Sequence, residues 1–398
     1  MKNKQKFTLP CWLLLGALLC GCGSRSSDTS GDDNRGGQRE NPAAIDNIYK
    51  RDVFFRTLQR PEPPYYREWT DGETETLRSI LRVVATNDFD GWTEARRATL
   101  RMGNGAIEYY IGAMLHRLIQ DSRTSNSSGG EQILQPFSTT KDLDQVMNMM
   151  EDRQVEDDFS FLDNDLWDIV SSELVAIGKD AIPSLLLGIR VTPSTAQSYL
   201  YGNILASIGQ ESVIPMLVAL RDTDNNEFRY RLLYLLRYFP DRKVSEALAA
   251  VLELAPDFKL RAQAAHSLAF VGMGVSLDRI SRALQNEKEE LVRKMTVFAL
   301  GHFTNPDSIR PVERALQDPS RSVRNQAAMV IGARKNFTSM PLLIANLRKA
   351  LALGGSDDKA MVEANYLARA MKMIAGKLIG YDANAWQRWY DAELLRRR

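Results

Sequence analysis

Histidines, cysteines and grouped carboxylates are where chemistry would start in this chain, and it offers few of each. Its three histidines are His116, His266 and His302, and its three cysteines are Cys11, Cys20 and Cys22. With all cysteines in the first 22 residues, the rest of the chain has neither a disulfide framework nor a thiol nucleophile. His266 and His302 form a pair with no third ligand, and His116 has no evident partner, which is too little for a zinc site. The densest carboxylates lie in "EDRQVEDDFSFLDNDLWD", residues 151–168. There Asp163 and Asp165 alternate as in a calcium-binding loop, but the central glycine and closing glutamate are missing. This run reads as a solvated connector with an Asp or Asn capping the next helix. No Gly-rich phosphate loop, His-Glu-x-x-His or Gly-x-Ser-x-Gly occurs. The expectation is a non-catalytic protein with no metal, cofactor or small-molecule substrate.

Composition is ordinary for a globular chain: 44% hydrophobic, 25% charged and a net charge of +1. That balance offers no polyelectrolyte surface for nucleic acid. A length of 398 residues exceeds one compact core and implies two domains or a repeat array.

At the N-terminus, Lys2, Lys4 and Lys6 precede the apolar run "FTLPCWLLLGALL", Phe7 to Leu19. The run is too short for a stable membrane span and suits a secretory signal. Leu19-Cys20-Gly21-Cys22 resembles the bacterial lipobox. The resemblance implies cleavage before Cys22 and acylation of that residue, whose several chains together hold firmly to a membrane. Cys20 fits less well, because Leu19 would then stand at the small-residue position. An uncleaved anchor or an ordinary secretory signal is the alternative. Gly23 follows Cys22, which favours the outer membrane of an envelope that has one. Residues 23–42 are almost devoid of apolar side chains, and 22–45 read as a flexible lipidated tether.

From residue 166 one pattern recurs. Segments start at Leu166, Gln197, Phe228, Leu260, Val292 and Val323, at intervals of 31, 31, 32, 32 and 31 residues. So regular a period means a solenoid. Apolar residues recur at helical spacing, with Leu260, Ala264, Ala265 and Leu268 on one face. Breaks follow at Gly178, Gly209, Pro240 and Gly272, and Pro183, Pro215 and Pro341 fall in the first turn of a second helix. Two such helices bury their apolar faces only by stacking on neighbours. The fold class is therefore all-α: a superhelix of about seven to eight stacked two-helix repeats.

The motif, clearest at Val292-Arg293, Val323-Arg324, Ala327-Ala328 and Ile331-Gly332, resembles short bacterial HEAT repeats of the type seen in phycobilin lyases. Arg229, Arg261, Arg293 and Arg324 share one register, each preceded by an acid at the junction: Asp224, Asp257, Glu287 or Asp318. Repetition in every unit marks them as a structural ladder of ion pairs and caps. The domain plan is a signal peptide (1–21), the tether (22–45), an N-terminal helical region (46–165) and the repeat array (166–398). The helical region carries an outlying repeat at about 91–118 and an insertion at about 119–160. A degenerate helix is expected at about 360–374. The end of the array, about 376–398, resembles the terminal segment common after such repeats, with Asp382 capping the last helix and Trp386 and Trp389 closing the core.

Two surfaces could bind a partner. On the first helices, the outward stripe is aromatic: Tyr199, Tyr230, Tyr234, Tyr238, His266, Phe270, Phe298 and His302. A contiguous exposed apolar patch marks a contact, either with a partner protein or with the N-terminal region or insertion of the same chain. On the second helices, which line the inner face of HEAT arrays, Arg279, Arg282, Arg310, Arg314 and Arg348 form a basic stripe. This is a groove for an acidic partner or a solvated mixed-charge face. The expected function is a lipid-anchored envelope scaffold for an unidentified protein partner, touching the membrane through its lipid alone. An assembly factor binding a glycan or another lipoprotein, or an enzyme related to the phycobilin lyases, stands as the alternative.

Overall fold

The computed structural model describes residues 52–59, 70–84, 89–103, 105–107, 110–111, 114, 164–191, 195–272, 277–354 and 358–397. Cys22, the tether, His116, the insertion and Asp163 lie outside them. The described residues are helices, turns and connections, with no strand among them. They fall into two compact units, residues 70–215 in one and residues 52–59 with Met216–Arg398 in the other.

The first unit begins with α2 (Asp71–Val84) and α3 (Phe89–Met102), α1 (Val53–Thr57) belonging to the second. A reciprocal cap opens α2: Thr70 N–H donates to Glu73 Oε2 (2.9 Å) and Glu73 N–H to Thr70 Oγ1 (3.2 Å). Then come α4 (Asn164–Ile177), α5 (Ile182–Val191), α6 (Thr195–Ile208) and α7 (Val213–Asp222), the last crossing into the second unit. α3 packs on α4, and α6 on α4 and α5. The outlying repeat is built into this stack, since Trp92, Ala106, Tyr110 and Ile111 are wholly buried. Tyr110 Oη donates to Trp92 O (3.0 Å) and Glu173 Oε2 (3.2 Å), while Arg96 Nη1 meets Glu173 Oε1 at 2.7 Å. Burial first, then the Glu173 carboxylate, holds the Tyr110 hydroxyl well above the ordinary phenol range.

The second unit continues with hairpins of α8 (Asn226–Leu235) and α9 (Arg242–Leu254), α10 (Phe258–Val271) and α11 (Leu277–Asn286), and α12 (Glu290–His302) and α13 (Ile309–Ala315). The last two hairpins are α14 (Arg321–Ala333) with α15 (Met340–Leu353), and α16 (Asp358–Ala375) with α17 (Ala383–Arg396). First helices pack side by side in the order α8, α10, α12, α14, α16. Each hairpin is one repeat, so the architecture is an α-solenoid. In α10, Leu260, Ala264, Ala265 and Leu268 are at most 2% exposed, the face their spacing predicts. Gly272, at φ 65°, ends α10 in a left-handed cap that glycine adopts without steric cost. Gly332 serves close approach instead: a Cβ there would lie 2.7 Å from Ala370 Cα of α16.

The arginine ladder exists, but its pairing runs forward. Arg261 forks onto Glu287 (2.7 and 3.0 Å), Arg293 onto Asp318 (2.8 and 3.0 Å) and Arg324 onto Glu363 (2.6 and 2.7 Å). Each acid therefore belongs to the next junction or helix, not the preceding one. Meanwhile each Nη1 turns back to its own junction, as Arg261 does to Ala255 O (2.8 Å) and Pro256 O (2.7 Å). One guanidinium thus ties two repeats together, and its bidentate fork fixes their spacing. Arg229 is fully buried and donates to Leu220 O, Thr223 O and Asn226 Oδ1. Asn225, not Asp224, caps α8, while Asp257 caps α10 as its position predicts.

At the C-terminal end Asp382 accepts from Asn384 N–H and Ala385 N–H, both at 2.9 Å. Trp386 is fully buried, donates to Gly380 O (2.8 Å) and meets Trp389 edge-on with centroids 6.0 Å apart.

Candidate functional site

Residues four apart on a helix lie on one side of it, so Tyr230, Tyr234 and Tyr238 follow one line. His266 and Phe270 form a second such pair on α10, and Phe298 and His302 a third on α12. The second unit brings these lines into one ring cluster. His266 stacks on Phe298 (centroids 5.8 Å, planes 10° apart) and meets the edge of Phe270 at 5.1 Å. Phe298 and His302 are 4.4 Å apart, Phe270 and His302 6.4 Å, and Tyr234 and Tyr238 6.3 Å. His302 Nδ1 lies 3.0 Å from Phe298 O.

The stripe is not uniformly outward, however. Tyr234 is 7% and His266 4% exposed, against 38% for Tyr238 and 41% for Phe270. Phe298, Tyr230 and Tyr199 are half-buried and His302 is exposed. The reason is packing: α10 touches both α8 and α12, so mid-helix rings are wedged between neighbours. Rings near the helix ends escape. Tyr199 stands on α6 in the other unit.

Electrostatics follow burial. His266 Nδ1 has no hydrogen-bond partner, and the ring's pKa is pushed down to about 4 by burial, with the positive charges of Arg237 and His302 adding to it. Burial, reinforced by Glu227, pushes the Tyr230 hydroxyl up to about 12, and burial also raises Tyr234. His266 and the tyrosines are therefore neutral near pH 7, and the permanent charge in the cluster is that of Arg237. Its Cζ lies 4.0 Å from the Phe270 centroid, 4.8 Å from Tyr234 and 5.3 Å from Tyr238. Sequence reasoning missed this residue. Nothing in the repeat register marks position 237, which lies in the 3-10 turn Leu236–Tyr238 after α8.

On the second helices, Arg282, Arg310, Arg314 and Arg348 are exposed. Arg279 departs from the expected open stripe. Its guanidinium is engaged by Asp52 Oδ2 and Glu253 Oε2, leaving the side chain 19% exposed. Asp52 also caps α1, accepting from Phe54 N–H at 2.9 Å. Arg221 Nη1 donates to Phe55 O (3.2 Å) and Leu58 O (2.7 Å), and Phe55 is fully buried. Residues 52–59 thus occupy part of the second-helix face, packed on α9. The "D-V-F-F" beginning at Asp52, an N-cap followed by apolar residues, was the available signal. Among the described residues no group of three or more His, Cys, Asp or Glu is placed to hold a metal ion.

Comparison with known families agrees with this architecture. Residues 277–353, from α11 to α15, match the family of HEAT repeats. The chain is also similar to an engineered protein of known crystal structure, at 13% identity over 89% of this chain and 90% of that one, with a TM-score of 0.32. No relative is found among curated proteins. The class of this molecule is an α-solenoid containing HEAT repeats.

Proposed function

We propose that the protein is a lipid-anchored scaffold of the cell envelope, held at its membrane through Cys22 and carrying no chemistry of its own. It binds another protein through the ring cluster on α8, α10 and α12. Repeat arrays present extended surfaces to their partners. The observation that carries the reading is the continuity of exposed rings: Tyr238, Phe270 and His302 stand on three successive repeats around Arg237. Aromatic side chains and arginine are the groups that concentrate binding energy at interfaces. The lipid anchor rests on the lysine-rich start, the apolar run and the cysteine at residue 22.

The test is crosslinking in the source cells, followed by isolation of the full-length lipoprotein and identification of what is attached. Tyr238→Ser with Phe270→Ser forms the comparison, both side chains being exposed enough to change without emptying the core. A specific protein recovered with the parent chain and lost with the double variant supports the scaffold. Equal recovery from both removes the ridge as its site. Incorporation of labelled palmitate that disappears in Cys22→Ala checks the anchor independently.

A further inference from the structure

Several arginines of the second unit spend their N–H donors on the chain itself. Arg261, Arg293 and Arg324 each bind a carboxylate and two carbonyls, Arg221 binds Asp222 and two carbonyls, and Arg279 binds two carboxylates. Arg237 is different. Among the described residues it has three ring contacts and no hydrogen-bond or ion-pair partner. A phenylalanine or tyrosine ring offers a guanidinium no lone pair from its face, so the N–H donors stay open to an oxygen acceptor. Three rings also hold the group in place, so little freedom remains to be lost when an acceptor arrives. Around it, Tyr238 and Phe270 offer apolar surface and His302 stands exposed beyond.

We infer that Arg237 and these rings form the anchor point of the ridge, taking a carboxylate of a protein partner that is carried beside an aromatic or apolar side chain. The inference rests on the ridge being a partner site and names the chemistry of what binds there. Charge complementarity selects the carboxylate, because the guanidinium at the centre of the cluster is a permanent cation. The planar fork of arginine selects a two-oxygen acceptor over a single hydroxyl. Neighbouring ring faces select the apolar companion. By contrast, the exposed arginines of the second helices have no ring contacts among the described residues to orient them.

Phenylacetate, a carboxylate beside a ring, and its neutral isostere phenylacetamide are suitable probes for the purified full-length protein. The ring signals of the three histidines provide an NMR readout, since two of the three stand in the cluster. Phenylacetate should shift the His302 signal saturably and bind roughly tenfold more tightly than phenylacetamide. Arg237→Gln should abolish that preference while leaving the His266 signal at its parental position. Equal binding of both compounds, no binding of either, or a preference that survives Arg237→Gln overturns the inference. In the crosslinking experiment, recovery of one protein from parent and Arg237→Gln chains alike would leave the ridge standing and remove the carboxylate anchor. Loss from Arg237→Gln, with the crosslinked partner peptide containing Asp or Glu next to an apolar residue, supports it. Capture of no protein by either chain would remove the ridge itself.

Discussion

Arg324 and Arg237 belong to first-helix segments of the same unit and have opposite fates. The guanidinium of Arg324 forks onto Glu363 and turns back to Asp318 O and Pro319 O, committing four of its five N–H donors. That of Arg237 rests on three rings with its donors uncommitted among the described residues. The first is one of a register repeated at Arg261 and Arg293; the second occurs once. Repetition with hydrogen-bonded guanidinium groups is how this molecule builds, and a singular guanidinium without an acceptor among the described residues is where it has something left to bind.

Breaking the repeated arrangement should have the largest consequence. Arg324→Ala leaves the largely buried Glu363 with Arg321 alone at 3.5 Å, and should cost about 3 kcal/mol in denaturant unfolding. Replacing both Arg324 and Glu363 by Met should recover most of that loss. A cost for Arg324→Ala no greater than that for Arg237→Ala would erase the distinction between the two arginines.

The buried half of the ring cluster belongs to the fold and should show it through pH. Native His266 stays neutral down to about pH 4, whereas in the unfolded chain it takes up a proton below its ordinary value of 6.5. Its contribution is therefore complete above pH 6.5 and is withdrawn as the pH falls toward 4, by up to about 3 kcal/mol. His266→Phe should flatten this part of the stability profile measured from pH 7 to 4. Packing between repeats comes next. Gly332→Ala forces a methyl against the α16 backbone and should cost about 2 kcal/mol, seen as a lower Tm. Asp52→Asn weakens the link to Arg279 and should cost about 1 kcal/mol, with faster amide exchange confined to residues 53–58. Arg237→Gln is the smallest, at about 0.5 kcal/mol, since it removes only ring contacts. A large unfolding penalty there would make Arg237 one more structural arginine.

The architecture was legible because it repeats. A 31- to 32-residue period, glycine breaks and first-turn prolines place every hairpin from α4 to α15. Finer geometry was legible only where one residue decides it, as at Asp382 and Asp257, whose short carboxylates reach the N–H groups of the following turn. Ion-pair direction was not, because Arg261 has an acid both before and after it in the chain. Only the stacking distance shows that Glu287, and not Asp257, takes the fork. Likewise the stripe of rings was visible as spacing, while its burial depended on how closely α10 sits between α8 and α12. Arg237 needed three rings from two helical segments to become notable, and no local pattern contains them.

The exposed rings meet either another protein or residues of the same chain. A photoreactive benzoylphenylalanine in place of Phe270, irradiated in the source cells, decides between these. A partner site on the ridge should yield adducts joining the full chain to one other protein, with the attachment mapped to a single segment of it. Adducts confined to peptides of this chain's own N-terminal region or of residues 119–160 would contradict it and make the ridge internal packing.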